Sequence, residues 1–380
     1  MRRVVWYFVL AFVAVVVAVV QVDRHSHEVP AYAKFVPSRF ANFALIRKAA
    51  NEVQNGSSKK ALADARRLLF VHPVPAENLT ILAVAELQNG HQEGGSRALM
   101  LAAGRGWREP FAQRAVAVAA AQSEEWEIAA DRLTALWKTS SDSPETRETS
   151  GLLLENPEIR SHFAARLVGQ TVWLPDFIGW AVRNLDSESF VETIEGAGKA
   201  GAQLPCEQLS GIARSLLDQG ALLLAERLWR NACAAGATST RGNLAFDNPS
   251  SAKPQDPFSW TYPSAAGLTV EVDAATNPSS LNFENTDLLR RVVAQKYLAL
   301  GAGPHHINVV TTDLQTNEAR PILVYFACRG SEANAVFRPI TADSRNDTID
   351  VQIPANSCPV QTIELRVAKA SAKGLRVIID

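Results

Sequence analysis

The chain has 380 residues, with 38 Lys plus Arg against 39 Asp plus Glu and a net charge of −1. That balance supplies no global field for a polyanion, which sets nucleic acid aside as a partner class. The length allows two or three domains, and a 47% hydrophobic, 20% charged composition is ordinary for a folded protein.

The first element in the chain is MRRVVWYFVLAFVAVVVAVVQVDRHSH. No charge interrupts Val4 to Val20, and Val22 follows a single Gln. Such a run approaches the roughly 20 residues that cross a bilayer. Arg2 and Arg3 precede it and should stay cytoplasmic, while Trp6 and Tyr7 stand where an interfacial aromatic belt forms. A cleaved signal peptide is the competing reading, but the nearest small-x-small site, Ala31-Tyr32-Ala33, lies well beyond the apolar run. The expectation is an anchor in residues 1–22, with the inner membrane as partner of residues 4–22, followed by a polar, Pro-containing tether over 23–42.

Residues 43–236 read as helix almost throughout, with apolar residues at three- and four-residue spacing. SKKALADARRLLFVHP, ENLTILAVAELQNG and EIAADRLTALWKT carry the pattern, and Asn55-Gly56, Asn89-Gly90, Gly106 and Ser140-Ser141 mark turns. Gly56 is followed five residues later by Ala61, Gly90 by Gly95, Glu125 by Ala130 and Gly220 by Ala225. The first three lie about 34–35 residues apart, and Pro73 falls twelve residues after Ala61. These residues resemble degenerate tetratricopeptide repeats, although no unit carries the full Trp-Leu-Gly-Tyr signature. The resemblance implies an α-solenoid that binds protein partners. Arg66, Arg67, Arg97, Arg105, Arg108 and Arg114 give its first units a basic tendency.

The texture changes at Gly242. Short alternating runs follow: GLTVEVD, SLNFENT, VVAQKYLAL, HHINVVTTD, ILVYFACRG, TIDVQIP, QTIELRVA and GLRVIID. Turn residues separate them, which predicts an antiparallel β-sandwich over 243–380. NLAFDN, SLNFENT and VVAQKYLALGAGPHHINVVT resemble the strands of carbohydrate-binding-module-type jelly rolls, with His305-His306 standing near the usual Tyr. Anchored repeat proteins with such a module resemble bacterial envelope proteins, some linked to exopolysaccharide pathways. Polysaccharide is the ligand class that this resemblance implies.

Four cysteines suit an oxidising compartment. Cys328 and Cys358 stand at a strand end and a strand start; Cys206 and Cys233 would join the start of one helix to the end of the next. Four free thiols remain the alternative. Trp260 and Tyr262 are the candidate ligand-binding residues. They share a strand phase with Phe258, and three aromatics at i, i+2 and i+4 more often line a core than a platform. His305-His306 and His25/His27 lack a third ligand at metal-site spacing, so neither metal nor cofactor is expected. No phosphate loop, G-x-S-x-G or H-E-x-x-H is present. Glu271, Asp273 and Glu284 read as a solvated strand face, or as a glycosidase pair at unpredictable spacing.

The expected fold is therefore a multidomain chain, α then β: a transmembrane helix, a tetratricopeptide-like α-solenoid and a jelly-roll sandwich. The expected function is a non-catalytic scaffold or assembly factor. It would be held in a bacterial inner membrane with its N-terminus cytoplasmic and its bulk periplasmic, and would bind an envelope protein and a polysaccharide. A carbohydrate-active hydrolase or a purely structural envelope protein is the alternative.

Overall fold

The computed structural model describes residues 2–379 except 38, 57, 107, 234–243, 247–255, 331–335, 341–345 and 356–357. It divides into two compact units, Met1–Arg166 and Leu167–Asp380.

The first unit begins with α1, Arg2–His25. Its apolar stretch is long enough to cross a membrane, and none of it is buried against protein. Valine-rich sequence has modest helix propensity, yet the run is helical throughout. Residues 23–42, expected as a tether, are folded. Asp23 and Ser26 are buried, a 3-10 helix spans Pro30–Phe35, and Ala33, Val36 and Ala41 pack with Ala44, Leu45, Ala49 and the partly buried Val22. Small apolar residues at close spacing allow this compact return, which the polar composition of the segment concealed.

Helices then follow in pairs. α2 (Phe43–Gln54) packs on α3 (Ser58–Val71), α4 (Ala76–Gln88) on α5 (Gln92–Arg105), and α6 (Pro110–Gln122) on α7 (Trp126–Ser140). α8 (Pro144–Leu154) and α9 (Pro157–Arg166) complete the unit. Proline at the first helical position starts α6, α8 and α9, where its missing N–H costs nothing. The turn inside each of the first three pairs reaches positive φ at Gly56, Gly90 and Glu124, successive intervals of 34 residues. Small residues follow each turn where the paired helices approach: Ala61, Ala129 and Ala130 are fully buried. A Cβ on Gly95 would lie 2.6 Å from Leu87. Glu124 takes the left-handed conformation that glycine supplies in the other two turns, so the third turn sits one residue earlier than the Glu125 alignment suggests.

In the second unit, α10 (Leu174–Asn184), α11 (Ser187–Lys199), α12 (Cys206–Asp218) and α13 (Leu222–Ala232) precede the strands. α11 and α13 pack so closely that a Cβ on Gly198 would lie 2.2 Å from the Asn231 carbonyl oxygen. Cys206 opens α12 and is bridged to Cys233, which caps α13.

Among the described residues, ten strands form two antiparallel sheets. The larger runs β1 (Leu268–Asp273), β2 (Ser280–Asn285), β10 (Ala370–Ile379), β4 (Gly303–Val310), β8 (Asn346–Ile353), with β5 (Asp313–Thr316) also paired to β10. The smaller runs β3 (Arg291–Leu298), β9 (Gln361–Val367), β6 (Ile322–Cys328), β7 (Val336–Ile340). Leu281, Phe283, Ile307, Val309 and Leu375 of the larger sheet share one apolar core with Val324, Phe326, Ile363 and Leu365 of the smaller. The Cys328–Cys358 bridge lies at the edge of that core.

The segment expected to open the β region differs from the reading. Residues 258–262 are not a strand; Thr261 alone bridges to Gln295. Leu244 and Phe246 are buried in the core without strand structure, while Asn243 and residues 247–255 lie outside the described residues. Pro257 and Pro263 flank these residues and supply no ladder donor at either end, which limits the pairing to that single bridge.

The outward phase of the smaller sheet is not solvated. Thr362 and Glu364 of β9 and Tyr297 of β3 are buried, because the α12–α13 corner covers them. A Cβ on Gly330, whose φ is +75°, would lie 2.6 Å from the Gln219 carbonyl oxygen. Arg329 lies 3.5 Å from Asp218 and 3.6 Å from Glu364. The last helical pair and the smaller sheet are thus joined by charge and by backbone contact.

Candidate ligand-binding face of the larger sheet

Strand alternation divides β1, β2, β5 and β10 between two faces. Val270, Val272, Leu281, Phe283, Leu314, Ala370 and Ala372 point to the core. The opposite phase carries Thr269 and Glu271, Asn282 and Glu284, Asp313 and Gln315, Ser371 and Lys373, and these residues line an open cleft of about 360 Å³. Register aligns them in rows. Thr269 lies opposite Glu284, Glu284 opposite Ser371, and Ser371 opposite Gln315; Glu271 lies opposite Asn282, and Lys373 opposite Asp313. Four adjacent strands span about 14 Å at the usual interstrand spacing.

The cleft is shaped by a bulge in β10, where the register with β2 shifts between Ala372 and Leu375. Gly374 sits in the bulge with φ of +63° and donates its N–H to Asn282 Oδ1 at 2.9 Å. Thr312 Oγ1 donates to the Lys373 carbonyl oxygen at 2.8 Å. A bulge of this kind bends the strand and increases local twist, so the face is concave where Lys373 and Asp313 leave it. Three carboxylates and one ammonium line the face, giving it a net negative charge. It offers hydrogen-bond donors and acceptors, and its aromatic lining residue, Phe283, is packed into the core. Glu271 and Glu284 are diagonal neighbours across β1 and β2, but both are exposed, with no apolar wall to shield a general acid from water.

The residues singled out from sequence are placed as follows. Trp260 is 1% exposed. It packs against Phe246 at 4.8 Å between ring centroids and donates Nε1–H to the Leu244 carbonyl. Tyr262 is half-buried against the same core. Trp260 is thus a core residue, the placement its shared phase with Phe258 favours over a ligand platform. His305 contacts the Gly301 carbonyl and His306 pairs with Asp350 at 2.6 Å across β4 and β8. Asp273 turns away from the cleft to accept the Ala275 N–H in the β1–β2 turn. Among the arginines of the first helical pairs, Arg66 pairs with Glu86 and Arg97 with Glu93. Arg105 donates to the Pro73 carbonyl and Arg114 stacks on Phe111.

Of the cleft residues, only Glu271 and Glu284 stood out in the sequence. Asp313 and Gln315 belong to the short strand β5, hidden in the tail of a longer apolar run. Asn282, Ser371 and Lys373 had a readable alternation but no pattern that joined them across 90 residues of chain.

A second cleft of about 570 Å³ lies along α11 and α13. There Arg227 pairs with Glu188 and Glu195, and Asn231 donates to Glu195.

No protein-family model matches the chain, and no curated protein does. One similar solved structure is a family GH115 4-O-methyl-α-glucuronidase described as having specificity for decorated arabinogalactans. It is 8% identical, with 84% of this chain and 41% of that chain covered, at a TM-score of 0.20. The chain thus spans less than half of that enzyme, and a superposition of this quality defines no common fold.

Proposed function

We propose that the protein is a membrane-anchored, non-catalytic binding factor of the bacterial cell envelope whose larger sheet holds a glycan across β1, β2, β10 and β5. The observation that carries this reading is the row of polar side chains on a dented, open sheet face. Hydroxyl-rich ligands suit such a face because each sugar hydroxyl both donates and accepts. Without aromatic platforms, recognition rests on hydrogen bonding, and the net negative charge favours neutral or amine-bearing glycans over acidic ones. The exposed apolar helix supports anchoring, and the two disulfides support an oxidising compartment. Arg2 and Arg3 orient the N-terminus to the cytoplasm and the bulk to the periplasm.

In this proposal the helical pairs form a tetratricopeptide-like array that recruits an envelope protein. Left-handed turns at intervals of 34 residues, each followed by buried small residues, support that part. The two sheets with one shared core support a jelly-roll-like module. The test is affinity electrophoresis of the full chain in detergent against neutral and acidic bacterial polysaccharides. Retardation by a neutral polymer, lost in Glu284→Ala and Lys373→Ala, is expected. No retardation by any polymer would leave a purely structural envelope protein.

A further inference from the structure

The carboxyl-terminal end of α1 is not a free tether. Both carboxylate oxygens of Asp23 accept backbone N–H groups at the start of α2: Asn42 and Ala44 at 3.0 Å and Phe43 at 3.2 Å. Lys48 Nζ donates to the Val36 carbonyl at 2.6 Å, and Arg47 donates to the His27 carbonyl at 3.3 Å. Val22, the last apolar residue of α1, packs with Ala33, Val36 and Ala41. The chain after α1 therefore folds back to the height of Val22.

Burial in this return is inverted relative to a water-soluble surface. The small residues Ala33 and Ala41 face inward. The large ones face outward: Tyr32 is 45% exposed, Phe35 75% and Phe40 43%. Lys34 and Arg39 are exposed among them. Aromatic rings with basic neighbours, at the end of an apolar span, match the chemistry of the headgroup layer. At the other end of α1, Trp6 and Tyr7 are also exposed. About 24 Å of helix separates them from Val22, close to the ~30 Å hydrocarbon thickness.

From this geometry we infer that residues 29–37 and 39–43 form an aromatic collar seated in the lipid interface. The occupant of this exposed face is the bilayer surface itself, because the face is continuous with α1. The collar, locked through Asp23, fixes the angle at which the first helical pair leaves the membrane. The inference rests on the reading of α1 as a membrane span.

The test is spin-label accessibility of the full chain in lipid nanodiscs, with single labels at Ala14→Cys, Phe35→Cys and Phe70→Cys. The four native cysteines are bridged and take no label. Phe70, 89% exposed on α3, is the aqueous control. The collar predicts a depth parameter (oxygen against a water-soluble nickel chelate) that is positive at positions 14 and 35 and negative at 70. A label at Phe40→Cys should repeat the result at 35. A negative value at 35 with a positive value at 14 overturns the collar and leaves the span standing, as does a positive value at 70. A negative value at 14 overturns both.

Discussion

The carboxylate of Asp23 and the backbone nitrogen of Ala44 lie 3.0 Å apart, although 21 residues separate them in the chain. One side chain at the end of α1 thereby caps the start of α2 from a distance. A cap of this kind satisfies N–H groups that a helix cannot pair internally, and the negative charge suits the helix N-terminus. Asp23→Ala should lower the stability of the first helical pair by about 1–2 kcal/mol. Asp23→Asn should cost less, because one oxygen still accepts. Hydrogen exchange at Asn42, Phe43 and Ala44 reads the effect, and unchanged exchange in the alanine variant would show that the cap is dispensable.

Tyr297 supplies an alkaline signature. Burial, and next the hydrogen bond with Asp218, push its phenol from 10.0 up to about 12. A group whose folded pKa is raised contributes stability below its unfolded pKa and loses it as pH rises through the folded value. The contribution is therefore complete below pH 10 and fades between 10 and 12. Urea melts across that window should show wild type converging on Tyr297→Phe. Parallel curves would mean that the phenol ionises alike in both states.

Two helical glycines should respond in opposite directions to alanine. At Gly198 the new Cβ would meet the Asn231 carbonyl at 2.2 Å, so α11 and α13 must part, at about 1–3 kcal/mol. At Gly211, within α12, nothing lies within 4 Å, so alanine should stabilise by about 0.5–1 kcal/mol. Thermal unfolding of both variants checks the sign. Equal shifts would contradict the close approach at Gly198.

The two disulfides close loops of similar size, with separations of 27 and 30 residues. Loop-closure entropy varies only logarithmically with length, so each bridge should contribute about 3 kcal/mol. Cys206→Ala/Cys233→Ala and Cys328→Ala/Cys358→Ala should lower the denaturation midpoint by comparable amounts. The second pair should lose somewhat more, since both its residues are buried in the apolar core. An unchanged midpoint in either variant would show that the bridge is dispensable.

Much of the architecture was legible locally. The helix α1 stands out because Val4 to Val20 runs seventeen residues without a charge. GLTVEVD, SLNFENT, QTIELRVA and most other alternating runs became strands because period-two burial is a local signal. Trp260 followed its phase with Phe258 into the core, although the strand that phase implied is reduced to one bridge at Thr261. The polar cleft was not legible, because its side chains come from strands about 100 residues apart in the chain, Thr269 to Lys373 at the extreme, and meet only through register. Nor was the folded return after α1, since a single Asp23 reaching Asn42 to Ala44 leaves no periodic trace. The buried outward face at Thr362 and Glu364 was hidden for the same reason: the α12–α13 corner that covers it is a tertiary partner, not a neighbour in sequence.

The proposal that the larger sheet binds glycan is tested most directly by hydrogen–deuterium exchange of the full chain in nanodiscs, with and without a saturating neutral polysaccharide. Slowed exchange is expected in residues 268–273, 280–285, 313–316 and 370–374, abolished by Lys373→Ala and absent with an acidic polymer. Unchanged exchange in those strands, or protection confined to other elements, would contradict the proposal.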